Sequence, residues 1–360
     1  MTIDLDPFEL TNTDVDEVVH GVEAHYDTIF TWDYEKAARP RLNRLYEKAK
    51  TSMWNANDLP WDTDVDQEHV VSDSIEQVGG LNRGLDLSGT CMAHWTDREW
   101  KALGIESQNW TLSQFMHGEQ GALVCTARIV ESVPWIDAKY YAATQVMDEA
   151  RHLEVFSRYL DSKLSGHYPI NAHLRALLDD IIAENRWDMT YLGMQIMVEG
   201  LALAAFGFIH QLTTEPLLKK MLRYVMADEA RHVAFGVLSL KDVYQQLTGA
   251  EIHERQEFAY EAAVRMRDRI LQQEVFERMG VPMADAKILL DGSQDRAVFQ
   301  QLLFSKIVPN CKKLGLLDAG DGWLRQRFGE LGVIAFEDWT DTAEEMEMFQ
   351  LAEGTAAAGT

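Results

Sequence analysis

The sequence predicts an all-α protein: a four-helix bundle core with additional helices at both ends. Apolar residues recur with the roughly 3.6-residue helical period almost without interruption from about residue 95 to 280. The breaks between these stretches are short, and long helices joined by short loops pack as antiparallel neighbours. No segment alternates with the two-residue period of a strand.

Residues 1–90 read as an N-terminal extension packing on the bundle. It holds one helix from Glu35 to Thr51 and an acidic loop with Trp54 and Trp61. Thr111-Leu112-Ser113-Gln114 reads as a capping box opening the first bundle helix, which stops before Pro134. A second helix runs from Trp135 to Leu164, and a third from Asn171 to Leu212. Thr214, with Pro216 behind it, caps a fourth that ends near Gly249. A fifth spans Glu251 to Met279. The bundle is thus expected over 91–280, shorter helices over 281–345, and a disordered tail over 346–360.

Net charge is -25, which argues against a nucleic-acid partner, because phosphate is bound by Lys and Arg. Cys91, Cys125 and Cys311 form no CxxC pair, so neither a disulfide framework nor a zinc finger is expected. The acidic start lacks a signal pattern, and no run is expected to reach the roughly 18 apolar residues of a membrane span. The expectation is a cytoplasmic protein without membrane association, assembled as a homodimer.

Asp148-Glu149-Ala150-Arg151-His152 recurs 80 positions later as Asp228-Glu229-Ala230-Arg231-His232. Glu119 and Glu199 lie 30 residues before Glu149 and Glu229, so they too are 80 apart. Residues three apart on a helix sit about 60° from one another around the axis. Glu149 and His152 can therefore reach one ion together, as can Glu229 and His232. The stripes that carry the four glutamates are apolar and face the core. Four unpaired buried carboxylates would cost several kcal/mol each, and two divalent ions remove that cost. Carboxylate and imidazole together suit iron or manganese. The candidate ligands are Glu119, Glu149, His152, Glu199, Glu229 and His232, which are also the candidate catalytic residues. Asp148, Arg151, Asp228, Arg231 and Gln195 are expected around them. Asp228 is assigned to His152 and Asp148 to His232, with the arginines tying the aspartates; surface ion pairs are the alternative for the arginines. Phe115, Phe156, Met194, Leu203 and Phe206 are candidate pocket walls or core packing. His117 and His210 are weaker candidates for extra ligands.

These residues resemble the ligand set of ferritin-like di-iron proteins, over roughly residues 35–245. That superfamily includes monooxygenase hydroxylases, acyl-carrier-protein desaturases, and the ribonucleotide reductase small subunit with its oxidase-like relatives. Met53-Trp54-Asn55-Ala56-Asn57-Asp58-Leu59 resembles the Trp-containing stretch before the bundle in the last group. The resemblance implies an electron path from Trp54 through Asp228; a core tryptophan is the alternative. Departures narrow the choice. The reductase's radical tyrosine falls at Phe156, and no Tyr follows Tyr260. The crosslinking positions of ligand-binding oxidases fall at Met194 and Ala122, the monooxygenase threonine at Leu203, and the seventh ligand of the N-oxygenase type at Val225. A desaturase surface for an acidic carrier would sit badly on so acidic a chain.

The expected function is an O₂-activating di-iron oxygenase or oxidase acting on a small, partly apolar organic substrate. Its cofactors would be two Fe ions, with Mn or mixed Mn/Fe as variants, and O₂ its co-substrate. An electron-donor reductase is the expected partner. The alternatives are a reductase-like radical generator, a Mn/Fe ligand-binding oxidase, or a non-catalytic iron-binding protein.

Overall fold

The structure is a computed structural model that describes residues 17, 19–25, 27–35 and 38–348, with backbone alone over 294–296. Of the tail expected to be disordered over 346–360, residues 346–348 are helical, and the rest lies outside the described residues. Among these, all regular structure is helical.

Helix α1 (Pro40–Thr51) begins at Pro40, whose fixed φ suits a first turn, so the start expected at Glu35 moves inward. Helix α2 (Gln67–Gln77) is capped by Asp66. Helix α3 (Asp97–Ser132) starts well before the expected capping box. Its cap is Thr96, whose N–H donates to Glu99 at 2.8 Å. Thr111 to Gln114 lie mid-helix because their polar groups have other partners: Ser113 donates to Asn109 O (2.7 Å), and Gln114 accepts from Asn171 N (2.7 Å).

Helix α4 (Ile136–Lys163) matches its expected span. The expected third helix is two. Helix α5 (Ala172–Ala183) ends where Glu184 accepts from the N–H groups of Asn185 and Arg186, at 2.9 Å each. Helix α6 (Trp187–Tyr191) then runs through a wide π-type segment, Leu192–Val198, into α7 (Glu199–Leu212). Helix α8 (Pro216–Tyr244) is capped by Glu215, not Thr214; its carboxylate takes the N–H groups of Leu217 (2.6 Å) and Leu218 (2.5 Å). Helix α9 (Gly249–Arg269) has the Thr248–Glu251 capping box. It stops at Arg269, before Gln272 in the left-handed region (φ 51°), and α10 (Gln273–Arg278) follows. Helices α11 (Met283–Gly292), α12 (Gln294–Leu303), α13 (Ile307–Lys313) and α14 (Ala319–Glu330) complete the chain.

Helix α3 packs along α4, α7 along α8, and α4 against α8, while the wide segment touches α3, α8, α9 and α13. This is the four-helix core the sequence predicts, with α5 and α9 on one flank and α1 on another. One apolar core runs through it, and a smaller one gathers around Trp100, Trp110 and Phe276. One expectation is corrected: the continuous helix Trp187–Leu212, 26 residues long, is long and apolar enough to cross a membrane by length and composition. In the fold, 72% of its most apolar window is buried inside the protein, where it supplies the core.

A π-type turn is rare and clusters at functional sites. Here it abuts Gly236 of α8: a Cβ at Gly236 would meet Gln195 Cβ at 2.7 Å and Ile196 Cδ1 at 3.1 Å. Overpacking should outweigh the gain in helix propensity. Gly236→Ala is expected to cost about 1–3 kcal/mol. Gly329→Ala in α14, where nothing lies within 4 Å, is expected to gain about 0.5–1 kcal/mol. Thermal denaturation midpoints of the two variants check the contrast.

Candidate metal centre

Helices α3, α4, α7 and α8 each turn one glutamate inward: Glu119 (5% exposed), Glu149 (0%), Glu199 (2%) and Glu229 (1%). His152 and His232 are fully buried among them. Candidate ligand atoms fall into two groups, each within 4.8 Å: Glu119, Glu149, His152 and Glu229; and Glu149, Glu199 and His232. His152 Nδ1 lies 3.1 Å from Glu229 Oε1 and 3.4 Å from Glu119 Oε2 and Glu149 Oε2. His232 Nδ1 lies 3.1 Å from Glu149 Oε1 and 3.6 Å from Glu229 Oε1. The structure therefore gathers all six residues that the sequence singles out.

The other imidazole nitrogens face outward in the expected crossed arrangement. His152 Nε2 donates to Asp228 Oδ2 at 3.2 Å, and His232 Nε2 to Asp148 Oδ2 at 3.3 Å. This fixes the tautomer and leaves both Nδ1 lone pairs turned to the carboxylates. Arg151 donates to Asp148 Oδ1 (2.5 Å) and Asp228 Oδ2 (3.0 Å); Arg231 donates to Asp228 Oδ1 and lies 3.5 Å from Asp148 Oδ2. Both guanidinium groups are buried, which removes the surface-pair alternative. Trp54, half-buried, donates its indole N–H to Asp228 Oδ2 at 2.8 Å and stacks on Tyr224. A continuous contact chain thus runs Trp54–Asp228–His152.

Gln195 does not take its expected part. It is fully buried, but neither of its polar atoms has a hydrogen-bond partner, because the wide segment seats it against Gly236. Gln145 does the bonding instead, donating to Glu199 Oε1 (2.8 Å) and Glu149 Oε1 (3.0 Å). Its position one turn before Glu149 was the available signal. His117 bonds Tyr168 O (3.0 Å), and His210 belongs to neither ligand group.

Electrostatics show what the cluster lacks. Burial pushes Glu119 up to about 8, with the charges of Glu229 and Glu149 adding to it. Glu199 is held well above the ordinary carboxylate value by burial and by the charges of Glu149 and Glu229. Burial works against the imidazolium of His152, yet Glu119 and Asp228 outweigh it and hold its pKa well above the ordinary value; Glu149 and Asp148 do the same for His232. Glu149 Oε2, Glu199 Oε2, both oxygens of Glu229 and both Nδ1 atoms make no hydrogen bond. Buried polar atoms are seldom left so. Six such atoms facing one space, with carboxylate and imidazole chemistry, fit two divalent ions.

A cavity of about 20 Å³ opens on Glu119, Glu199 and Glu229. Phe115, Phe206, Ala122, Val198, Leu201 and Ala202 form its apolar wall. Of the expected wall residues, Phe156 packs behind, 5.9 Å from Phe115 and 5.6 Å from Phe206 by ring centroid. Met194 and Leu203 are buried elsewhere, because the stripe from Glu199 passes through Ala202 to Phe206 and the wide segment rotates Met194 away. A larger apolar cleft of about 300 Å³ lies farther along the same helices, lined by Thr111, Leu112, Ile209 and Leu218 among others.

No protein-family model and no curated protein matches the chain. Among solved structures, it is similar to R2-like ligand-binding oxidases. One mutant with an anaerobically reconstituted Mn/Fe cofactor is 19% identical at a TM-score of 0.49, covering 79% of this chain and 93% of that one. Another is 18% identical at 0.48, covering 80% and 98%. A form with aerobically reconstituted Mn/Fe (long soak) is 17% identical at 0.47, covering 79% and 93%.

The raised pKa values set a sign. Glu119 rises from 4.5 to about 8 on folding, so the metal-free folded state binds its proton more tightly than the unfolded chain does. The raised histidines act in the same direction. Metal-free protein is therefore expected to lose thermal stability as pH climbs from about 4.5 to about 8. Ion binding must displace these protons. Melting curves against pH, with and without metal, and proton release on titration with Fe(II) check this: metal should flatten the slope and release protons.

Proposed function

We propose that this chain is a di-metal oxidoreductase that activates O₂ and oxidises a small, largely apolar organic molecule, with two iron ions, or manganese in one or both places, as cofactor. The observation that carries the reading is a buried cluster of four glutamates and two histidines that forms two candidate ligand groups and leaves six of its polar atoms without hydrogen bonds. Glu119, Glu149, His152 and Glu229 would hold one ion, and Glu149, Glu199 and His232 the other. When bound, such a pair supplies the two-electron chemistry that O₂ reduction needs.

The chain's own residues do the rest. Asp228 and Asp148 hold the imidazole protons on Nε2 and keep Nδ1 free. Arg151 and Arg231 pair with those aspartates in the protein interior, where Asp228 has its pKa pulled down by His152 and Arg231 against the effect of burial. Gln145 ties Glu199 to Glu149, so these two carboxylates move together. Phe115 and Phe206 exclude bulk water from the face where Glu119, Glu199 and Glu229 converge. The Trp54–Asp228–His152 chain offers electrons a route from the half-buried indole, which suits an external reductase as donor.

Anaerobic loading with Fe(II) is expected to give two irons per chain, and Glu229→Ala and His232→Ala to lose most of that iron. Wild-type content in either variant overturns the ligand assignment. Asp228→Asn should weaken metal affinity or activity about 10–100-fold. Trp54→Phe should leave the iron content intact and slow reduction by an external donor. A persistent tyrosyl radical after exposure to O₂ would favour radical generation over substrate oxidation.

A further inference from the structure

Arg269 is the last residue of α9, is 8% exposed, and lines the small cavity together with Gln114, Phe115, Glu119, Glu199 and Glu229. Its guanidinium has no hydrogen bond or ion pair among the described residues. The neighbouring acids are engaged elsewhere. Asp268 takes Arg267 (2.7 Å), Glu274 takes Trp110 (2.9 Å) and Asn171 (2.6 Å), and Glu106 takes Tyr168 (2.6 Å) and Arg278 (3.1 Å). Burial alone shifts Arg269, pulling it down to about 10. The C-terminal dipole of α9 favours a cation there, but by far less than the lost hydration.

Charge matching isolates the same residue. Four glutamates match two divalent ions, and Asp148 and Asp228 match Arg151 and Arg231. The groups of the metal centre therefore leave no carboxylate for Arg269, which faces the same cavity. A lone buried cation calls for one negative partner, and none of the described protein groups supplies it.

We infer that Arg269 is a substrate-recognition residue that pairs with the carboxylate of a small monocarboxylic acid, whose apolar body lies against Phe115 and Phe206 toward the carboxylate cluster. The proposal rests on the di-metal reading and names its substrate class. A planar guanidinium matches a carboxylate through two parallel hydrogen bonds, and one unmatched charge suits a monoanion better than a phosphate dianion. The cavity's about 20 Å³ holds roughly one water, so the acid must displace that volume and push the two rings apart. Gln272, adjacent to the end of α9 and hydrogen-bonded to Thr111 (3.3 Å), holds the turn that keeps Arg269 in place.

The test is calorimetric titration of iron-loaded, anaerobic protein with acetate, propionate and benzoate, each against its neutral amide. At least one acid should bind at least about tenfold tighter than its amide. Arg269→Gln should abolish that preference with two irons still bound. Arg269→Met, which keeps the stem and removes the stranded charge, should raise the melting temperature in the absence of acid. The proposal is overturned if no acid binds, if the preference survives in Arg269→Gln, or if the variants lose iron and melt earlier, which would make the arginine structural. Normal iron content without acid preference would leave the di-metal reading standing and remove only this inference.

Discussion

Four carboxylates share one dry space at the centre of the bundle, and the surrounding structure is organised around that repulsion. Without cations, protons must take their place, which is why Glu119 and Glu199 are pushed up and why both histidines are held toward their charged forms. An apolar core tolerates such a cluster more readily when the charged groups around it are paired. Asp148, Asp228, Arg151 and Arg231 do this as a crossed set of four linking α4 to α8, with the imidazoles hung from it. Removing one member would leave an opposite charge stranded, so the set stands or falls together.

The 80-residue repeat makes the two halves comparable, and their differences show where the site is open. Phe115 corresponds to Gln195, and Phe156 to Gly236. In both halves the two equivalent positions touch each other. In the first, two rings pack at 5.9 Å and back the cavity. In the second, Gln195 lies so close to Gly236 that even a Cβ would be 2.7 Å away. One side of the carboxylate cluster is thus walled by rings, and the other is closed by Gln195 packed on Gly236. The π-type turn at Leu192–Val198 belongs to the closed side, where it brings Gln195 onto the glycine. The small cavity lies on the ring side.

The six candidate ligands were legible because their spacing is local: a Glu-x-x-His block and its duplicate need only helical periodicity to be read. The crossed aspartate–histidine bonds were legible because a two-fold repeat implies exchange between its halves. Helix ends were read less well. The pattern at Thr111–Gln114 has the residue types of a cap, but its side chains hold the loop after α4 instead. The break at Glu184–Arg186 carries no Gly or Pro and arises from a carboxylate capturing two backbone N–H groups. The wide turn has no composition of its own. Arg269 was invisible because having no partner is a property of the folded surroundings, whereas in the sequence it sits in an ordinary basic stretch ending α9.

The position of the larger cleft adds a constraint on size. On α3, Gln108, Thr111 and Leu112 line the cleft, Phe115 follows one turn later and Glu119 the turn after, all on one face. On α8, Leu218 precedes Glu229 by eleven residues, which is about three turns and so the same face. Ile209 follows Phe206 on α7. Cleft and cavity therefore lie on shared stripes, and Phe115 and Phe206, edge to face at 4.7 Å, stand between them. With the rings together, the carboxylates face a space the size of a water molecule. The edge-to-face pair of Phe115 and Phe206 thus bounds the space in front of the carboxylates on the side toward the cleft.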